Sequence, residues 1–282
     1  MKWNGLGFAL GLGFLGVLVW AIALLRPKQL PRLGILARIT QLRWWHYVVC
    51  FALVPAAVYV VQWIPHIWLY PRGVTELPSG TDAVPVLWNT LRDLHRDLIG
   101  NHTNANVGVG TDKVVHPYCS TWLSWPVLGR PISYYFDADD SQWQSVLAIG
   151  NPILWWLALP AVVGLTISTM IRFRAFPAYV LLGYAANYLP WMKVSRCLFL
   201  YHYMSALVFS VMALAFVLDG FLHHRRTTVR LIGLFAIGAI ALSQIFFTPI
   251  WLGLPVTPQQ FYLRMWFRPG LWTGDLTGFN WI

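Results

Sequence analysis

Residues 6–25 read LGFALGLGFLGVLVWAIALL, twenty positions without a charged side chain. Residues 26–43 follow as RPKQLPRLGILARITQLR, with five cations and no acid. An uncharged run of that length matches the ~20 residues an α-helix needs to cross a hydrocarbon layer. It is too long for the apolar core of a secretory signal, and no small-residue cleavage site follows it. The first run is therefore a span, and the basic tail behind it marks the cytoplasmic side, where Lys and Arg of short loops collect.

Five further stretches qualify outward from this one: Tyr47–Leu69, Leu147–Ile171, Phe176–Trp191, Cys197–Leu218 and Leu231–Trp251. The Phe176–Trp191 stretch is the shortest and is interrupted by Asn187 and Pro190. If the six spans alternate, Arg26, Lys28, Arg32, Arg38, Arg43, Arg172, Arg174, Arg225, Arg226 and Arg230 all fall on one side. That side is expected to be the cytoplasm, with both termini outside. Composition agrees. Of the 282 residues 57% are hydrophobic and 11% charged, against about a quarter charged in a soluble domain. Seventeen Trp and twelve Tyr suit membrane–water interfaces. A disordered chain, a coiled coil and an ordinary cytosolic enzyme are excluded. The net charge of +10 lies in membrane-flanking loops rather than on one soluble face, so no nucleic-acid partner is read from it. Cys50, Cys119 and Cys197 are too few and too scattered for a disulfide framework or a metal knuckle.

The segment from Pro71 to Trp143 holds five basic and eight acidic residues, so the surplus of cations stops there. It is too long for a passive connector. Within it Leu87, Leu91, Leu94 and Leu98 recur at helical spacing, with Arg92, Asp93, Arg96 and Asp97 between them. That pattern predicts an amphipathic helix, lying either at the membrane surface or on the rest of the loop.

The turn Leu189-Pro190-Trp191-Met192-Lys193-Val194-Ser195-Arg196 falls outside, yet carries two cations and no acid. A lipid phosphate would compensate them, since Arg binds phosphate bidentately and Lys as a point charge. Head groups of bulk phospholipid, or an acid of the long loop, are the alternatives. On a continuous helix of 100° per residue, Arg196 and Tyr203 share a face, whereas His202 is turned about 120° away. A membrane-embedded His is a functional-site hypothesis; an interhelical hydrogen bond that locks packing is its structural counterpart. The long loop closes with His116-Pro117-Tyr118-Cys119-Ser120-Thr121-Trp122-Leu123-Ser124-Trp125-Pro126, then Arg130-Pro131 and Tyr134-Tyr135. Such density of rings suits a sugar or peptide surface and suits an interfacial belt equally. Asp137, Asp139 and Asp140 read as a solvated turn in preference to a DxD-type metal site. No P-loop, dinucleotide fingerprint, HExxH or nucleophile elbow is present. No cofactor and no metal site are read from the sequence.

Four blocks together resemble one family. His116-Pro117-Tyr118, with Trp122-x-Ser124-Trp125-Pro126 and Arg130-Pro131, resembles the outer-loop signature of protein O-mannosyltransferases. Gly150-Asn151-Pro152-Ile153-Leu154-Trp155-Trp156 resembles the start of their next membrane helix. Arg196-Cys197-Leu198-Phe199-Leu200-Tyr201-His202-Tyr203 resembles a third block and Leu94 to Asn104 a fourth. Thr121 departs from the pattern, which has a Lys before the Trp.

The resemblance implies an all-α integral membrane protein with a long extracytoplasmic loop and a GT-C-like C-terminal part. Residues 1–70 would be two transmembrane helices ending a preceding membrane domain. Residues 71–146 would be the extracytoplasmic loop with its amphipathic helix, and residues 147–282 the C-terminal four-helix-type membrane region. The implied reaction moves mannose from polyprenyl-phosphate-mannose to Ser or Thr hydroxyls of an acceptor protein, with inversion. Arg196, Lys193 and Tyr203 would bind the lipid phosphate. His116, Tyr118, Trp122, Trp125, Arg130 and His202 would line or support the sugar and acceptor site. The family's catalytic acid pair lies in a first outer loop that has no counterpart here, so a partner supplying an N-terminal half is expected. Membrane lipids are the remaining expected partners, and a bacterial plasma membrane the expected location.

Overall fold

The computed structural model describes residues 4–69, 83–103, 117–194, 197–267 and 281. Nine α-helices and one two-stranded sheet are present among them. α1 (Asn4–Leu25) is followed by a kinked 3₁₀ segment, Pro27–Gln41. Gly34 makes the kink at φ 57°, a backbone setting that glycine reaches without steric cost. α2 (Trp44–Val48) and α3 (Val54–Leu69) are joined by one π-helical turn. α4 (Ala83–Thr103) is the amphipathic helix read from the leucine spacing. It packs against α3, where Nε2 of His95 lies 2.6 Å from the Tyr59 hydroxyl.

α5 (Pro152–Ile171), α6 (Ala175–Tyr188), α7 (Met204–Leu222) and α8 (Thr227–Leu252) form the bundle, and α9 (Pro258–Arg264) is the last described helix. α1 lies along α6, while α7 contacts α5, α6 and α8. Gly183 explains how closely these helices meet. It faces Gly11 of α1, and a Cβ there would run into the Phe209 ring of α7. Asn187, buried and four residues on, donates from Nδ2 to the Gly183 carbonyl at 2.9 Å, so the polar interruption of this span turns inward.

Five helical stretches are long and apolar enough to cross a bilayer: Gly7–Leu25, Trp44–Pro65, Pro152–Ile171, Leu200–Leu222 and Thr227–Leu252. The remaining expected span, Phe176–Trp191, is α6 plus a 3₁₀ turn, Leu189–Lys193. Pro190 has no N–H to continue the α-helix, which stops short of that length.

Two expected starts are corrected. Leu147 and Ala148 belong to a β-hairpin, β1 (Ile132–Ala138) with β2 (Trp143–Ala148), so the third span begins at Pro152 and the expected 146/147 boundary falls inside a strand. Asn151 is the reason for the later start. Its Oδ1 accepts from the Leu154 amide, Pro152 fills the first helical position, and its Nδ2 donates to Ile240 of α8 at 2.9 Å. The fifth span does not begin as an α-helix at Cys197. Leu198 bridges Ser120 in extended conformation, Leu200–Tyr203 is 3₁₀, and α7 starts only at Met204. Residues 197–203 are therefore not the continuous α-helix on which Arg196 and Tyr203 were expected to share a face; Arg196 itself lies outside the described residues.

Candidate functional site

The loop end of the bundle is a 3₁₀ segment, Trp122–Val127, laid across α5, α6 and the approach to α7. Its backbone is held by aromatic side chains. The Trp122 carbonyl accepts from the Tyr188 hydroxyl at 3.0 Å, and Trp125 from the Trp155 indole at 2.7 Å. Val127 accepts from Trp156 at 3.1 Å, and Leu128 from Trp281 at 2.8 Å. Leu128 itself sits at φ 63° with its side chain fully buried. A non-glycine residue keeps that conformation where its surroundings fix it. Each of these bonds contributes about 1 kcal/mol net, and a buried carbonyl left without one costs about 1–3 kcal/mol. The sequence offered a stacking surface or an interfacial belt for the loop's own rings; the loop backbone is braced by four rings from outside it, Trp155, Trp156, Tyr188 and Trp281.

A covalent tie completes the arrangement. Cys119 and Cys197 form a disulfide with Cα atoms 5.2 Å apart, 78 residues apart in sequence. The cysteine count had excluded a disulfide framework, and this single bridge was not read from the sequence. Beside it the Ser120 amide donates to the Leu198 carbonyl at 2.8 Å, and Ser120 Oγ accepts from the Trp125 indole at 2.8 Å. The loop and the approach to α7 are thus fixed to each other.

The expected site residues separate into two sets. Trp125, His202 and Tyr203 are buried and belong to the support. The Trp125 ring stacks on His202 with centroids 6.0 Å apart, and Trp191 meets the same imidazole edge-on at 4.4 Å. His202 Nδ1 accepts from the Phe199 amide at 3.2 Å, which closes the 3₁₀ turn. The Tyr203 hydroxyl pairs with that of Tyr184 at 3.1 Å, inside the bundle. Trp122, Tyr118, Arg130 and Lys193 keep accessible surface. Trp122 meets Tyr188 edge-on at 5.4 Å. Arg130 donates from Nε to the Pro117 carbonyl at 3.0 Å and lies 5.8 Å over the Tyr118 ring. Partial burial lowers the Arg130 guanidinium from its usual range while Tyr118 acts in the opposite sense; an arginine stays charged regardless. Arg196 and His116 lie outside the described residues.

Among the described residues three acids have local partners. Asp139 makes the hairpin turn, accepting from the Ser141 and Gln142 amides, and these bonds hold its carboxyl below the usual range. Asp93 pairs with Arg92 and Asp219 with His223.

A family model described as the C-terminal four TMM region of protein-O-mannosyltransferase matches residues 87–269, from α4 past α9. The chain belongs to the protein O-mannosyltransferase family. The polyprenol-phosphate-mannose–protein mannosyltransferase of Mycolicibacterium smegmatis is 28% identical over 94% of this chain and 54% of its own length. The enzyme of the same name from Mycobacterium tuberculosis is 26% identical over 94% and 53%. This chain spans about half the length of these bacterial relatives. The solved Saccharomyces cerevisiae Pmt1-Pmt2 complex bound to the sugar donor is similar at a TM-score of 0.51 and 24% identity. That match covers 76% of this chain and 29% of the yeast chain, and shows the shared fold.

Sequence reasoning missed the residues that build the site's frame: Cys119 with Cys197, Trp155, Trp156, Tyr188 and Asn151. Trp155 and Trp156 were legible as a motif, but nothing in their spacing shows that both indoles reach carbonyls about 30 residues upstream.

Proposed function

We propose that this chain is the C-terminal part of a glycosyltransferase that moves mannose from polyprenyl-phosphate-mannose to Ser or Thr hydroxyls of proteins. One observation carries the site assignment. The disulfide binds the aromatic loop to Cys197, the residue after Arg196, while the turn that ends in Lys193 supplies Trp191 to the same ring cluster. Both cations then belong to the segment that meets the loop.

In the proposed reaction the acceptor oxygen attacks C1 of mannose. The C1–O bond to phosphate breaks, polyprenyl phosphate leaves with the electron pair, and a carboxylate takes the hydroxyl proton. Negative charge grows on the leaving phosphate, and cations positioned in advance stabilise that transition state. Arg196 and Lys193 take this role, and Tyr203 acts behind them through Tyr184. Trp122, Tyr118, His116 and Arg130 line the sugar and acceptor side; Trp125 and His202 hold its floor. The general base must reach the hydroxyl within hydrogen-bond distance, and we place it on an N-terminal half supplied by a partner chain or segment. The coverage of about half of each bacterial relative supports that division.

The orientation belongs to the same proposal. Disulfides persist in oxidising compartments, which favours an extracytoplasmic loop end, and the arginine-rich connections at the other end favour the cytoplasm. A bacterial plasma membrane is the proposed location. Mannose transfer to a Ser/Thr peptide from polyprenyl-phosphate-mannose tests the reading. Transfer is expected when the chain is co-expressed with an N-terminal half of a bacterial relative and not from the chain alone. No transfer by the folded pair would contradict it, and transfer by the chain alone would refute the external base.

A further inference from the structure

α5 runs for 20 residues away from the aromatic loop, about 30 Å at 1.5 Å per residue. At its far end the chain gathers the arginines of two connections that are distant in sequence. Arg26, Gln29 and Arg32, after α1, line one cavity together with Ser168, Arg172 and Arg174, at the end of α5 and its turn into α6. Among the described residues no carboxylate lines it. Asp219, at the end of α7, pairs with His223. The Arg174 guanidinium lies 5.3 Å over the Phe216 ring.

Four arginines gather like charge around one space that an anion would compensate, and the guanidinium fork fits phosphate oxygens. The size and the rest of the lining limit what that anion is. The cavity measures about 1340 Å³, above the ~300–1,000 Å³ typical of small-molecule pockets and far larger than a phosphate ion needs. Ile22, Met170 and Ile171 supply an apolar flank, and the latter two are exposed at 83% and 82%. Polar contacts at the helix ends and bare aliphatic side chains beside them match a lipid with its head group inward and its chains along the bundle.

We propose that this cavity binds the phosphodiester head group of an anionic phospholipid in the leaflet at the arginine-rich end. Basic pockets between membrane helices recognise anionic head groups by this chemistry. With four arginines, a head group carrying two phosphates is held more tightly than one carrying a single phosphate. The inference stands on the cavity alone and does not depend on mannose transfer.

The test is native mass spectrometry of the full chain released from detergent. It is offered in turn dioleoyl cardiolipin, phosphatidylglycerol, phosphatidylcholine and millimolar inorganic phosphate. Retention should fall in the order cardiolipin, phosphatidylglycerol, phosphatidylcholine, with about tenfold between the first and last, equivalent to ~1.4 kcal/mol. Inorganic phosphate should not displace cardiolipin. R32Q/R172Q should lower cardiolipin retention about tenfold, R32K/R172K less because charge persists without the fork, and R225Q/R226Q by under about twofold. Unchanged retention in R32Q/R172Q, or equal loss in R225Q/R226Q, would overturn the site. Displacement by inorganic phosphate would replace the lipid with the free ion. Should R32Q/R172Q fail to fold, thermal unfolding of the wild-type chain decides. Cardiolipin must raise its midpoint above that in phosphatidylcholine, and an unchanged midpoint refutes the proposal.

Discussion

At the loop end of the bundle, four consecutive-segment carbonyls are each held by an aromatic N–H or O–H, and a disulfide ties the loop to the approach of α7. At the far end, four arginines surround an open cavity with no carboxylate in its described lining. Both ends carry cations, but only at the first do aromatic side chains and a disulfide tie the loop backbone across the bundle. Preorganised groups stabilise a transition state because they need no reorganisation at the moment of reaction, so rigidity belongs where bonds break. An anion site that only retains a lipid tolerates an exposed, adjustable lining.

That contrast can be broken by measuring stability at each end, by reversible unfolding in mixed micelles. Trp125→Ala removes a fully buried ring stacked on His202 and should cost about 3–5 kcal/mol, the range for deleting a core aromatic. Loss below 1 kcal/mol would mean the loop is not the rigid element. Cys119→Ser should cost about 2–4 kcal/mol, and reduction of the wild-type chain should reproduce that loss without further effect on the variant. Trp155→Phe keeps the ring but leaves the Trp125 carbonyl without its donor; about 1–3 kcal/mol is expected. At the other end R32Q/R172Q, in lipid-free detergent, should stay within about 0.5 kcal/mol of wild type, as surface substitutions do. A larger cost there would show that the arginines stabilise the fold rather than hold a ligand.

The sequence made the spans legible because uncharged runs of about 20 residues are an unambiguous signal. It was weaker at their ends, for a physical reason. Hydropathy cannot distinguish an apolar strand from the first turn of a membrane helix, and Leu147-Ala148, the end of the strand Trp143–Ala148, was absorbed into the third span. The alternation there, and the Asp-rich turn before it, were the available hairpin signals. The late start of α7 had no local signal, since it follows from the Ser120–Leu198 bridge and a disulfide closing 78 residues. For the site, residue types were legible and their roles were not. His202 was weighed between chemistry and packing; it is buried beside Trp125 and Trp191, and the Tyr203 hydroxyl meets that of Tyr184. Which rings remain accessible depends on pairings such as Tyr188 with Trp122, set by helix contacts that no short-range pattern encodes.

The central claim is that the cations before α7, and not those at the arginine-rich end, meet the lipid phosphate of the donor. Binding of polyprenyl phosphate to the full chain in phosphatidylcholine nanodiscs, compared between Arg196→Ala and Arg225→Ala, tests it most directly. The account predicts about tenfold weaker binding for Arg196→Ala, or ~1.4 kcal/mol, and under about twofold for Arg225→Ala. Equal effects of the two substitutions would contradict it.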